Sequence, residues 1–421
     1  MFRKTILKNG LRIISVPQRN SEAVTVLVLV GTGSKYERRE ISGISHFLEH
    51  MFFKGTKKRP DKLEIAETLD RVGGMYNAFT SQEYTGYWAK VSADYSEVAL
   101  DWVSDIYLNS LLPEKEIEKE KGVIIEEINM YYDNPMSYVQ ILWDKLLYGD
   151  QPAGWSVLGT KESVSRISRQ DLLAYMASQY GAKNTIVCLA GKISHSRALG
   201  LAKKYFAKIK DNRFMEKPEV RENQKRPGLL LKERKTDQTH FCLGVRAFNL
   251  FHPKRYAQEV LAAILGGMMS SRLFIEVREK LGLAYYIRTS VESNPDSGAL
   301  VTQAGVDNKR AEKALSVILR EYKKMKEKRI GPSELRKAKD HLKGNLTLGL
   351  ETSDAKASFF AGQELLEKRI RPLKEIWREI DKVTSGQLQS LAREIFRPEK
   401  LNLAILGPFR EKNKFEKLLK I

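Results

Sequence analysis

His46 and His50 stand four positions apart in the stretch SGISHFLEHMFFKGT, residues 42–56, with Glu49 beside the second. The chain holds only six histidines, so a pair on one turn is an unusual concentration of metal-binding side chains. In a helix, residues four apart lie about 40° from each other on one face, one turn apart. Both imidazoles can then reach a single point at the ~2.0–2.1 Å that a zinc ion takes. Glu49 falls to one side, where a carboxylate could accept a proton from water without binding the metal. Ser42 is the expected N-cap, and Gly55 closes the pattern. The bland reading is that both rings simply pack in a core.

Two histidines are too few for a catalytic zinc, which usually takes three protein ligands and keeps one position open. His195, His240, His252 and His341 have no evident partner in the sequence. The segment PEKEIEKEKGVIIEEINMYYDNP, residues 113–135, offers better candidates. Pro113 suits a first helical turn, and DNP stops the helix. At 100° per residue, Ile117, Ile124, Ile128 and Tyr131 form an apolar stripe. Glu127 lies on its flank, with Glu120 about 20° away and Glu126 on the opposite side. Glu127 is therefore the expected third ligand. Glu120 is placed to accept a histidine N–H from behind, unless it is an ordinary solvated charge on an acidic helix.

These residues must be carried by a chain of 421 residues, a length that favours two domains of about 200 residues each. The stretch 211–228, DNRFMEKPEVRENQKRPG, is charged and nearly devoid of apolar residues, and reads as a linker. The order of strands and helices is similar on its two sides. The sequence thus predicts an α+β protein with two homologous domains, each a mostly antiparallel sheet packed with helices. Residues 1–210 would be the zinc-binding catalytic domain and 229–421 a metal-free supporting copy, since LAAILGG stands roughly where HFLEHMFFKG stood.

The net charge of +20 is spread over mixed lysine, arginine and glutamate helices with no compact arginine-rich tract, which argues against a nucleic-acid partner. No apolar run is long enough for a membrane helix. Cys188 and Cys242 sit in strand-like apolar stretches and read as reduced core residues. With no secretory pattern at the start of the sequence, a cytoplasmic location is expected.

His46-x-x-Glu49-His50, followed after 76 residues by Glu127, resembles the layout of the pitrilysin family of inverted-motif zinc peptidases. The flanking block GSKYERREISGISHFLEHMFFKGT is similar throughout, and the length and duplication resemble its shorter members, including the mitochondrial processing peptidase. The resemblance implies one zinc ion per chain on His46, His50 and Glu127, with Glu49 as catalytic base and Glu120 as the family's second acidic position. It implies that GGMYNAFTSQEYTGYWAKV supplies a strand, through Asn77, Ala78 and Thr80, that pairs with the substrate backbone. It implies that Arg278 and Tyr285, seven apart in SRLFIEVREKLGLAYYI, hold substrate or the developing oxyanion, with Tyr286 an adjacent competitor. The expected activity is a zinc-dependent endopeptidase cleaving extended, unstructured or presequence-like peptides inside a homodimeric chamber. The alternative is a non-catalytic, peptide-binding scaffold subunit of the same family.

Overall fold

The computed structural model describes residues 2–211 and 214–421; the expected linker thus includes two positions, Asn212 and Arg213, outside the described residues. The described residues form two compact units, each built on one sheet. In the first, β1 (Arg3–Ile6), β2 (Arg12–Pro17), β3 (Ala23–Val30), β4 (Met75–Thr80), β5 (Thr85–Ser92) and β6 (Thr185–Gly191) lie in the order β1-β2-β6-β3-β5-β4. In the second, β7 (Gly228–Glu233), β8 (Gln238–Arg246), β9 (Ala284–Ser293), β10 (Gly298–Asp307) and β11 (Leu401–Gly407) lie in the order β7-β11-β8-β10-β9. Set β1 aside and the two orders are the same. Each sheet has one parallel pair, β2 with β6 and β7 with β11, and is otherwise antiparallel. The α+β duplication expected from the sequence is therefore present at the level of strand connectivity.

Strands β3, AVTVLVLV, and β6, TIVCLAG, are apolar almost without interruption because helices cover both faces of the sheet they centre. On one face Ile14, Leu27, Leu29, Ile186 and Cys188 pack against Ala357, Ala361 and Leu365 of the helix Ser353–Glu367. The alanines let that helix approach closely. The second sheet is covered in the same manner: Cys242, Val301, Ala404 and Leu406 pack against Val139, Leu142 and Trp143 of the helix Pro135–Tyr148. The units are consequently discontinuous in sequence. The first comprises Met1–Asn129, Trp155–Pro218 and Leu348–Ile370, and the second Met130–Gly154, Glu219–Thr347 and Arg371–Ile421. Among the described residues no helix is long and apolar enough to cross a membrane.

Strand β4 is an edge strand of the first sheet. Its turn into β5 is pinned by the segment after β3: Ser34 N–H donates to Ser81 O at 3.2 Å and Lys35 N–H to Gln82 O at 3.0 Å. A β-carbon at Gly33 would lie 2.1 Å from Ser81 O, so this approach requires glycine. Below it Glu83 accepts from the buried Lys35 ammonium at 2.9 Å and from Lys217 at 2.5 and 2.7 Å.

The helix Ile44–Met51 divides cleanly into faces. Ile44, Phe47, Leu48 and Met51, spaced i, i+3, i+4, i+7, are fully buried, which turns His46, Glu49 and His50 together to another side. Its start differs from expectation. Gly43, at φ +93°, occupies the N-cap position, and Ser42 precedes the helix without capping it. The free N–H groups of Gly43 and Ser45 instead donate to the Glu37 carboxylate at 2.7 and 2.9 Å. The Ser42 carbonyl, in turn, accepts from Ser163 Oγ at 2.6 Å.

Burial pushes the Glu37 carboxyl up to about 7, against the pull of those N–H donors. A carboxyl raised above its unfolded value near 4.5 favours the folded state fully below pH 4.5, and that contribution is lost as pH rises through about 7. Between pH 5 and 8 the wild type should therefore lose about 3 kcal/mol of stability relative to Glu37→Gln, read from urea midpoints at each pH. Parallel pH profiles for the two proteins would refute this assignment.

Candidate metal centre

Three donor atoms meet on the partly buried second face of the Ile44–Met51 helix. His46 Nε2 and His50 Nε2 are 3.2 Å apart, and each lies 3.5 Å from Glu127 Oε2. A tetrahedral zinc site with ~2.0–2.1 Å bonds has ligand–ligand edges of about 3.3–3.4 Å. The triangle of donors fits such a site without movement of more than a few tenths of an ångström. Two imidazoles and one carboxylate are also a donor set of catalytic zinc sites, which leave the fourth position open. Among the described residues this is the only group of three or more histidine, cysteine or acidic side chains arranged to hold a metal.

Glu127 arrives on the helix Glu114–Asp133, which is anchored by the buried Ile117, Ile124 and Ile128. Glu120, two turns earlier on the same face and 4% exposed, is buried with them. Glu126 points to solvent. Tyr131, expected in the apolar stripe, is 37% exposed, because none of the last five helical residues is buried. Glu120 Oε1 stands 2.9 Å from His50 Nδ1, and its Oε2 accepts from the Lys54 ammonium at 2.8 Å. His46 Nδ1, in contrast, is buried with no hydrogen-bond partner.

The electrostatics follow from this crowding. Burial and the neighbouring His50 lower His46 to about 4. Burial also works against a charged His50, but its bonds to Glu120 and Glu127 prevail and raise it to about 9. In the absence of a metal these opposite shifts favour a single positive charge on the pair, an added proton carried by His50. Metal binding requires neutral imidazoles, so a cation entering here displaces that proton. Burial opposes ionisation of Glu120, yet His50 and Lys54 hold it below the ordinary carboxylate range; the His50 bond does the same for Glu127.

Glu49 sits beside the trio but is not part of it. Its Oε2 accepts from the Thr80 hydroxyl at 2.5 Å. Burial raises the Glu49 carboxyl, while Thr80 and His50 pull it back. Thr80, placed by the sequence only in a strand, is therefore also a partner of Glu49, at the end of β4. Asn77 and Ala78 lie on the same edge strand, where the Asn77 side-chain oxygen accepts from the Ala78 N–H at 2.8 Å in an exposed bond.

Arg278 and Tyr285 belong to the second unit. Arg278 lies in the π-helical turn Phe274–Lys280, its guanidinium 4.7 Å from the Phe274 ring centre and 3.8 Å from Glu279. The register of β9 against β10 steps from Tyr286↔Gly305 to Ala284↔Val306, so Tyr285 is the extra residue of a β-bulge. It is 77% exposed. Tyr286 points inward, with its hydroxyl 3.0 Å from His240 Nδ1. Of the two tyrosines, Tyr285 is the one free to meet a ligand.

Sequence reading missed Glu37 and Lys54. Lys54 follows His50 by four residues in the unbroken block HMFFKGT, and that spacing was its available signal. Glu37 lies in a non-periodic stretch that gave none.

Residues 12–161 match the family model described as Insulinase (Peptidase family M16), and residues 166–342 match that described as Peptidase M16 inactive domain. "Uncharacterized zinc protease YmxG" of Bacillus subtilis is 38% identical over 97% of this chain and 98% of its own length. A Mycobacterium leprae protein, also named an uncharacterized zinc protease, is 35% identical over 99% of this chain and 94% of its own. A crystal structure of a protease from Helicobacter pylori shares the fold at a TM-score of 0.91 and 26% identity, covering 97% of this chain and 100% of that one. The histidine pair, both glutamates behind it and the edge strand all lie in the first matched segment, and with relatives aligned from end to end the chain belongs to peptidase family M16.

Proposed function

We propose that this chain is a zinc-dependent endopeptidase that cleaves extended, unstructured peptides. The observation that carries the reading is the triangle of His46, His50 and Glu127 donors at 3.2–3.5 Å, with the Glu49 carboxylate beside it but outside it. His46, His50 and Glu127 would hold the zinc ion, and Glu120 would orient the His50 ring. When bound, zinc supplies a Lewis acid that polarises a scissile carbonyl and acidifies water.

Glu49 takes the proton of the attacking water and passes it to the leaving amine, a role helped by the burial that raises its carboxyl. Thr80 holds that carboxylate in place and keeps it available as a base. The substrate adds to the open edge of the first sheet along Asn77, Ala78 and Thr80, so main-chain bonds supply affinity with little sequence preference. Arg278 and Tyr285, supplied by the facing subunit of the dimer, donate to the developing oxyanion; the 77% exposure of Tyr285 supports the choice of Tyr285 over Tyr286. The reading includes a homodimer enclosing a chamber and presequence-like segments among its substrates. It also includes a cytoplasmic location, supported by two buried free thiols, Cys188 and Cys242.

Incubating a pool of unstructured peptides with wild type and with Glu49→Gln, each with and without a zinc chelator, tests the reading by mass spectrometry. Cleavage by wild type should fall about 10²–10⁴-fold in the variant and disappear on chelation. A zinc-loaded wild type that cuts nothing would favour the binding-only alternative. For Thr80→Val, removing the hydroxyl takes away a bond that lowers the Glu49 carboxyl. The ascending acid limb of kcat/KM against pH should then move to higher pH; an unmoved limb would exclude Thr80 as a partner of the base.

A further inference from the structure

We propose that Lys54 is a positioning residue of the metal centre, its ammonium holding the Glu120 carboxylate in the one orientation that serves His50. The proposal rests on the zinc reading above. The two oxygens of Glu120 have divided duties: Oε1 faces His50 Nδ1 at 2.9 Å, and Oε2 is held by Lys54 Nζ at 2.8 Å. One contact alone would let the carboxylate swing about its own axis; two fix its plane, and with it the imidazole behind which it stands. Glu120 is 4% exposed, so water offers it little alternative support.

Charge balance gives Lys54 added weight. A histidine that ligates zinc is neutral and keeps one N–H to donate. Once His50 is in that state, the zinc charge is offset in part by Glu127 and stands beyond the ring, so Lys54 is the cation in direct contact with the buried Glu120 carboxylate, and removing it leaves that oxygen without its partner. The other ligand cannot share the task, because His46 Nδ1 has no hydrogen-bond partner. Among the described residues, outer support for the two imidazoles therefore runs entirely through His50, Glu120 and Lys54.

The backbone is arranged to present this lysine. Lys54 N–H donates to Met51 O at 3.1 Å as the helix ends. Immediately after it, Leu111 N–H donates to Gly55 O at 3.0 Å. Thr56 Oγ donates to Asp105 at 2.6 Å, and Asp105 also receives the Arg59 guanidinium at 2.7 Å. A surface lysine would need no such anchoring on both sides.

The test is zinc affinity of the full chain, stripped of metal and titrated against a chromophoric chelator. The proteins compared are wild type, Lys54→Met, Glu120→Gln and the double variant, with Lys54→Gln as the alternative if Lys54→Met does not fold. Lys54→Met should weaken zinc binding about 10–100-fold, and Lys54→Arg should recover most of it. In the Glu120→Gln background the same substitution should cost almost nothing, because the lysine acts only through Glu120. An affinity within twofold of wild type, or an equal loss in both backgrounds, would overturn the proposal while leaving the zinc reading intact. A wild type that binds no zinc would overturn that reading and the proposal with it.

Discussion

The first unit depends on bringing one carboxylate to two imidazoles across helices whose donor groups are separated by 76 residues of chain. Each of the three groups is costly to bury alone, and none finds its partner within its own helix beyond the histidine pair. The cost is met by rigidity on every side. Four apolar residues fix the rotation of Ile44–Met51, Glu37 holds its first turn and three isoleucines set the azimuth of Glu114–Asp133. A shift of one residue in either helix would rotate a donor by about 100° and dissolve the cluster.

Position also separates the roles of four chemically similar acids. Glu127 meets both histidines, Glu120 stands behind one of them, Glu49 meets a threonine, and Glu37 meets backbone N–H groups. Their carboxyls move accordingly: Glu120 and Glu127 are held low by cationic neighbours, and Glu49 and Glu37 are raised by burial. Environments that push apart the affinities of like groups are the usual means by which one fold assigns ligand and base.

Much of this was legible in the sequence because helices translate spacing into direction. The four-residue interval of the histidines and the seven-residue interval of Glu120 and Glu127 are local periodicities, and the duplication shows as repeated element order. What was not legible depended on contacts remote in sequence. Glu37, five residues before Ser42 and outside any periodic pattern, takes the N–H groups at the helix start, while Ser163, over a hundred residues away, bonds the Ser42 carbonyl. The bond from Thr80 to Glu49 joins a strand end to a helix, which no single periodicity encodes. Tyr285 and Tyr286 are identical letters, and only the placement of β9 in its sheet says which ring is exposed and which meets His240. Likewise the expected bounds 1–210 and 229–421 would put Pro135–Tyr148 and Ser353–Glu367 each in its own half, whereas each packs in the other unit.

The exchange of those two helices has a consequence for synthesis on the ribosome. The first sheet is complete in sequence once β6 has emerged, yet one of its faces stays bare until Ala357, Ala361 and Leu365 are made. Meanwhile Val139, Leu142 and Trp143 wait for strands β8, β10 and β11, the last of which ends at Gly407. Neither core can close on the early part of the chain alone. Growth from the N-terminus, which lets many two-domain proteins fold one domain at a time, here leaves two apolar faces open together until the chain is nearly finished. The order of translation thus makes the duplicated halves a single folding problem.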